Sequence, residues 1–145
     1  MAIVLSKELD QAIRGHGEET FPNECCGFML GSVKGEDRTI AELIRADNDR
    51  EDEEKYHRFL ITPEAYMQGE KAARKKGLDI VGFYHSHPNA PARPSQYDLD
   101  HAWPFYSYMI VSIMDKSADK MTSWILKDDR SAFDEEDIAV DGDER

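Results

Sequence analysis

At 145 residues the chain has the size of one domain, and its 40% hydrophobic content excludes disorder of the whole molecule. No apolar run approaches the roughly 18 residues of a membrane span, and no long apolar stretch follows Met1, so the sequence predicts neither membrane segment nor leader, and a cytosolic protein. A net charge of -12 argues against nucleic acid as a partner, because phosphate binding draws on an excess of clustered Lys and Arg.

In chain order, Ser6 is placed to cap a helix whose Leu9, Ala12 and Ile13 fall at spacings of three and four, with Gly15 and Gly17 ending it. Phe21-Pro22-Asn23 breaks the chain, and residues 25–33 read as a buried strand. Lys34-Gly35-Glu36-Asp37 then turns it into a hairpin with residues 38–45. Residues 46–55 hold six acids against Arg50 and Lys55, a solvated loop leading to Phe59-Leu60-Ile61. Thr62-Pro63-Glu64 starts a second helix that runs to Lys76 and stops at Gly77. Lys71, Arg74, Lys75 and Lys76 at its end complement the helix dipole, so that basic cluster needs no ligand.

Residues 79–87 read as a strand, with Ile80-Val81-Gly82-Phe83-Tyr84 apolar on both faces as a central strand requires. Pro88, Pro91 and Pro94 hold the next residues irregular, Ser95 opens a short helix to about Ala102, and Pro104 closes it. Strands over 106–114 and 121–126 follow, split by a polar turn at 115–120. The last stretch, 128–145, carries nine acids against Arg130 and Arg145 and reads as a solvated tail outside a domain of residues 1–127. The order predicts a single-domain α/β fold, one curved mixed sheet sandwiched by helices, with Phe83, Tyr84, Trp103 and Trp124 in the core.

Cys25 and Cys26 are adjacent and cannot staple distant segments, which fits a reducing compartment. As strand neighbours they point to opposite faces, so at most one faces any site, and small packing residues are the expectation over thiol chemistry. Of the five histidines, His16, His57 and His101 read as surface or cap residues. His85 and His87 differ: residues i and i+2 of a strand share a face with Cα atoms roughly 6.6 Å apart, so both imidazoles can reach one metal ion.

The strand delivers that pair to its own end, where ligands of α/β sheets collect. Seven residues after Pro88 comes Ser95-Gln96-Tyr97-Asp98, a capping box by pattern. A capped helix start fixes where an acid points, so Asp98 is the candidate third ligand beside His85 and His87. Two imidazoles and one carboxylate leave Zn²⁺ with an open fourth position, the pattern of a catalytic site. The proton acceptor such a site needs is Glu24, at the mouth of the first buried strand; taken alone, an acid there is also an ordinary solvated charge.

Glu24 at the head of Glu-Cys-Cys-Gly-Phe-Met-Leu-Gly, with His85-Ser-His-Pro, six residues, then Ser95-x-x-Asp98, resembles the signature of the JAMM (MPN+) metalloprotease family without a gap. The likeness runs over about residues 2 to 127 and is nearest the small bacterial members that act on ubiquitin-like sulfur-carrier proteins. It implies a cytidine-deaminase-like fold, one zinc ion per chain held by His85, His87 and Asp98, Glu24 as general base and Ser95 as hydrogen-bond donor to the oxyanion. It further implies cleavage after the C-terminal Gly-Gly of a ubiquitin-like carrier, releasing cysteine from a carrier-cysteine adduct or trimming extra residues. The inserted segments with which longer eukaryotic relatives grip ubiquitin have no counterpart here. Two other functions compete: a scaffold module of the same fold without catalysis, and a metallo-amidase acting on a small substrate.

Overall fold

The computed structural model describes residues 2–46 and 63–141. Thr62, the acids of the loop that follows residue 46, His57 and Phe59-Leu60-Ile61 fall outside them. Among the described residues, seven strands and three helices run in the order β1 (Ala2–Ser6), α1 (Lys7–Thr20), β2 (Cys26–Lys34), β3 (Asp37–Ala46), α2 (Pro63–Lys75), β4 (Asp79–Pro88), α3 (Gln96–His101), β5 (Ser107–Met114), β6 (Ser117–Leu126) and β7 (Phe133–Asp141). None of these helices is long and apolar enough to cross a membrane.

The sheet is mixed, as expected, but it closes on itself in the order β1-β3-β2-β4-β5-β6-β7, so the arrangement is a barrel rather than a sandwich. Closure comes from β1, which pairs in parallel with β3 on one side and with β7 on the other. Residues 133–141, expected in a solvated tail, are therefore the seventh strand. The reason is a period of two beneath the charge: Glu136 is buried, and Ile138 and Val140 pack on the core, while the intervening residues face outward.

Apolar side chains form two clusters. The first gathers Ile3, Leu5, Ile13 of α1, Met29, Val81, Tyr84, Met109 and Ile113; the second gathers Phe28, Leu30, Ala73 of α2, Ile80 and Phe83. Successive residues of β2 fall in different clusters, Met29 in one and Phe28 and Leu30 in the other, so the two helices cover opposite faces of this part of the sheet.

Ser6 caps α1 by accepting the Leu9 amide at 3.1 Å, as its position suggests. The helix does not stop at its glycines but runs on to Thr20. Gly17 is there for proximity: a Cβ would lie 2.7 Å from Ile113 Cδ1 and 3.3 Å from Ser86 Cβ, so α1 lies almost directly on the sheet. Gly77, with φ of +70°, ends α2 as predicted. The turn expected over 115–120 is only Asp115 and Lys116, with φ of 50° and 75°, and β6 starts at Ser117. Its first residues are polar and largely exposed, which hides them as strand.

Candidate metal centre

β4 runs inside the sheet, antiparallel to β2 and parallel to β5. Its register with β2 pairs Met29 with Gly82 but Leu30 with Ile80, leaving Val81 as an extra residue. The bulge reverses the side-chain parity, so that Ile80 and Phe83, three apart, share the α2 face, and His85 and His87 continue along it. Both imidazoles are buried, 1% and 8% exposed. Ser86 faces the other way, its Oγ accepting the Cys25 amide at 2.8 Å.

The chain leaves β4 through Asn89, at a left-handed φ of 52°, and reaches Ser95, the N-cap of α3. The capping box is complete: Asp98 N–H donates to Ser95 Oγ at 3.1 Å, and Ser95 N–H donates to Asp98 Oδ2 at 2.8 Å. That reciprocal pair aims the carboxylate at the histidines. Asp98 Oδ1 lies 3.3 Å from His85 Nε2, Oδ2 lies 3.3 Å from His87 Nε2, and the two Nε2 atoms are 3.1 Å apart. The structural and metal-ligating readings of Asp98 are thus compatible.

These spacings decide whether the group suits a metal ion. A tetrahedral zinc ion with ligands at about 2.0–2.1 Å requires donor atoms about 3.3–3.4 Å apart, and the observed distances fall close to that. The second nitrogen of His87 agrees: its Nδ1–H donates to the Pro91 carbonyl at 2.9 Å, which leaves Nε2 of the neutral ring bare and facing the cluster. Burial holds the His85 pKa below its ordinary value, favouring the neutral, ligating ring. Burial also opposes ionisation of Asp98, but the adjoining His85 and the Ser95 amide outweigh it and hold the carboxyl far below the usual carboxylate range. His85, His87 and Asp98 therefore fit one metal ion.

Glu24 reaches the same region through register. Cys26 pairs with His85 and Phe28 with Phe83, and Ser86 N–H donates to the Cys25 carbonyl at 3.2 Å. Glu24 lies two residues before β2, at the same end of the sheet, and is buried, 4% exposed. Cys25 points to the opposite face, into the first core cluster, where burial pushes its thiol up to about 11. A group with that pKa is not a thiolate near neutral pH, so Cys25 is a packing residue.

His16 departs from expectation. It is buried, with Nδ1 2.7 Å from the Tyr84 hydroxyl, and burial lowers its pKa to about 4. His101 lies exposed on α3, with Nδ1 2.9 Å from the Tyr97 carbonyl. Trp103, expected in the core, is 56% exposed, and Phe105 equally so. Trp103 packs its ring 6.1 Å from Tyr66, which adjoins Phe83 at 6.3 Å, so an aromatic shelf runs from the strand that carries the histidines to the surface. Sequence reasoning also missed the Pro91 carbonyl, since any residue type supplies a carbonyl.

Comparison with known proteins adds an independent line. The model for prokaryotic homologs of the JAB domain matches residues 6–127. A desampylase of Haloferax volcanii is 35% identical over 92 residues, 63% of each chain, so the chain matches less than two thirds of that relative's length. A probable TtuB-protein conjugate cleaving protease of Thermus thermophilus is 41% identical over 44 residues, 30% of each. Among solved structures, a Desulfitobacterium hafniense protein is 31% identical with a TM-score of 0.84, over 97% of this chain and 94% of that one. A JAB1/MPN domain protein of Archaeoglobus fulgidus shares the fold, at 20% identity and a TM-score of 0.57, over 94% of this chain and 96% of that one.

Proposed function

The chain belongs to the family of prokaryotic homologs of the JAB domain, and from that premise we propose that it is a zinc-dependent peptidase or isopeptidase that hydrolyses the bond after the C-terminal Gly-Gly of a ubiquitin-like, sulfur-carrier type protein. The observation that carries the reading is the meeting of His85 Nε2, His87 Nε2 and Asp98 at 3.1–3.3 Å, a spacing suited to one tetrahedral cation. The substrate class is supported by the relatives named desampylase and TtuB-protein conjugate cleaving protease.

In this reading His85, His87 and Asp98 hold the ion, which when bound supplies Lewis-acid activation of water and of the scissile carbonyl. Glu24 takes a proton from the attacking water and returns it to the leaving amine as the carbon–nitrogen bond breaks, so the proton balance closes on one residue. Ser95 already accepts the Asp98 amide through Oγ. Its own hydrogen is left to donate to the carbonyl oxygen as negative charge develops there, where stabilisation accelerates the reaction.

The same relatives favour a protein partner over a small amide. The complete ligand set favours catalysis over a scaffold. The test is to incubate the zinc-loaded protein with a carrier ending in Gly-Gly-Cys, with a carrier–protein conjugate and with short peptides. Chelator-sensitive cleavage of the carrier substrates alone is expected; equal cleavage of unrelated peptides, or cleavage unaffected by chelator, would overturn the reading.

A further inference from the structure

Three consecutive carbonyls in the loop after β4 each accept a side-chain donor. Pro91 O accepts His87 Nδ1–H at 2.9 Å. On either side of it, Ala90 O accepts the Ser112 hydroxyl of β5 at 2.5 Å, and Ala92 O accepts the Thr122 hydroxyl of β6 at 2.6 Å. Thr122 Oγ1 in turn accepts the Trp124 indole N–H at 2.8 Å, which fixes its rotamer. The loop start is tied as well, by Asn89 N–H to Ile113 O at 2.6 Å and Asp115 N–H to Asn89 Oδ1 at 2.8 Å.

With the flanking peptides pinned and the Arg93 N–H donating to the same oxygen at 2.9 Å, the Pro91 carbonyl is held in place against His87 Nδ1. The alternative tautomer would place the Nδ1 lone pair face to face with that oxygen. We propose that Ser112 and Thr122 are positioning residues which, by clamping the loop on both sides of Pro91, fix the ring orientation and tautomer of His87 and so its strength as a metal ligand.

Ser112 is the ladder partner of His87, Thr122 lies one strand further along, and both sit on strands that carry no ligand. The clamp also shortens the freedom of the loop that joins the histidine strand to the Asp98 helix, so it sets the distance between the two halves of the ligand set. The proposal rests on the reading of His85, His87 and Asp98 as metal ligands for its effect on affinity, but its effect on the tautomer is independent of any ion.

The experiment compares Thr122→Val, which keeps volume and removes the hydroxyl, with Thr122→Ser, which keeps the hydroxyl and removes volume, and adds Ser112→Ala. Zinc affinity is measured by competition with a chromophoric chelator, and the His87 tautomer by long-range nitrogen–proton NMR of the metal-free protein at pH 8. Expected is a protonated Nδ1 in the parent and in Thr122→Ser, mixed tautomers in Thr122→Val, and zinc binding weakened about tenfold in Thr122→Val and Ser112→Ala but within about twofold of the parent in Thr122→Ser. A Thr122→Ser protein as impaired as Thr122→Val would assign the effect to packing and overturn the proposal. So would a Thr122→Val protein with unchanged tautomer and affinity, while the parent's zinc binding left the metal reading standing. If the parent binds no zinc the metal reading falls, and the NMR comparison alone decides the clamp. Should Ser112→Ala fail to fold, the two Thr122 variants carry the test.

Discussion

Cys26 of β2 stands directly opposite His85 of β4. In an antiparallel ladder partners share a face, so this pairing sets the face on which the residues two steps away, Glu24 and His87, both lie. A slip of one residue would send Glu24 to the side of Cys25 and Ser86, away from the histidines. The proposed base stands two residues before that pairing, at the start of β2.

That placement predicts a clean separation of binding from chemistry. Glu24→Gln, nearly isosteric, should keep one zinc per chain and lower turnover of a carrier conjugate by about a hundredfold or more. Metal analysis beside the cleavage assay checks both halves, and undiminished turnover would remove Glu24 as the proton carrier.

Ser95 has two tasks that can be parted. Ser95→Ala should lose the cap, costing on the order of 1 kcal/mol of stability, and lose turnover by roughly ten- to a thousandfold. Ser95→Asn retains a capping oxygen but not the hydroxyl, so its thermal midpoint should recover while turnover stays low. Recovery of turnover with Asn would mean that capping was the whole contribution.

Ending the chain after Lys127 should abolish cooperative folding rather than trim a tail. β7 pairs with β6 and with β1, and Glu136 accepts the buried Ser123 hydroxyl at 2.6 Å. Removing it opens the barrel and exposes two strand edges. Thermal unfolding followed by circular dichroism reads this directly; a truncated protein with an unchanged midpoint would show β7 to be dispensable.

His16 gives the protein an acid sensitivity of known sign. Burial beside Tyr84 lowers its pKa from 6.5 to about 4, so between those values the unfolded chain binds a proton that the folded one does not. Stability is fully present above 6.5 and falls as the pH drops through the window, by on the order of 3 kcal/mol. Unfolding of the metal-free protein across pH 4 to 7 should show a shallower slope in His16→Gln than in the parent. Equal slopes would place the titrating group elsewhere.

Most of the ligand set was legible because its spacing is local. Period two in a strand brings His85 and His87 together, and a capping box orients Asp98, so each piece follows from a handful of neighbouring residues. The parts that were not legible depend on partners far along the chain. The Val81 bulge exists only against β2, Gly17 is explained only by Ile113, and β7 is a strand because β1 and β6 leave a gap for it. The acidic density of β7 hid an inward alternation of Glu136, Ile138 and Val140. Trp103 looked like core because indoles usually are buried, yet it lies in the irregular stretch after α3, where packing is one-sided.

The most direct test of the central claim is zinc-edge X-ray absorption of the protein loaded with one equivalent of zinc, compared with Asp98→Asn. The account predicts a four-coordinate ion with two imidazole nitrogens and one carboxylate oxygen at about 2.0–2.1 Å, and loss of the oxygen ligand in the variant. Failure to retain zinc stoichiometrically, or a spectrum without two imidazoles and indifferent to Asp98→Asn, would contradict it.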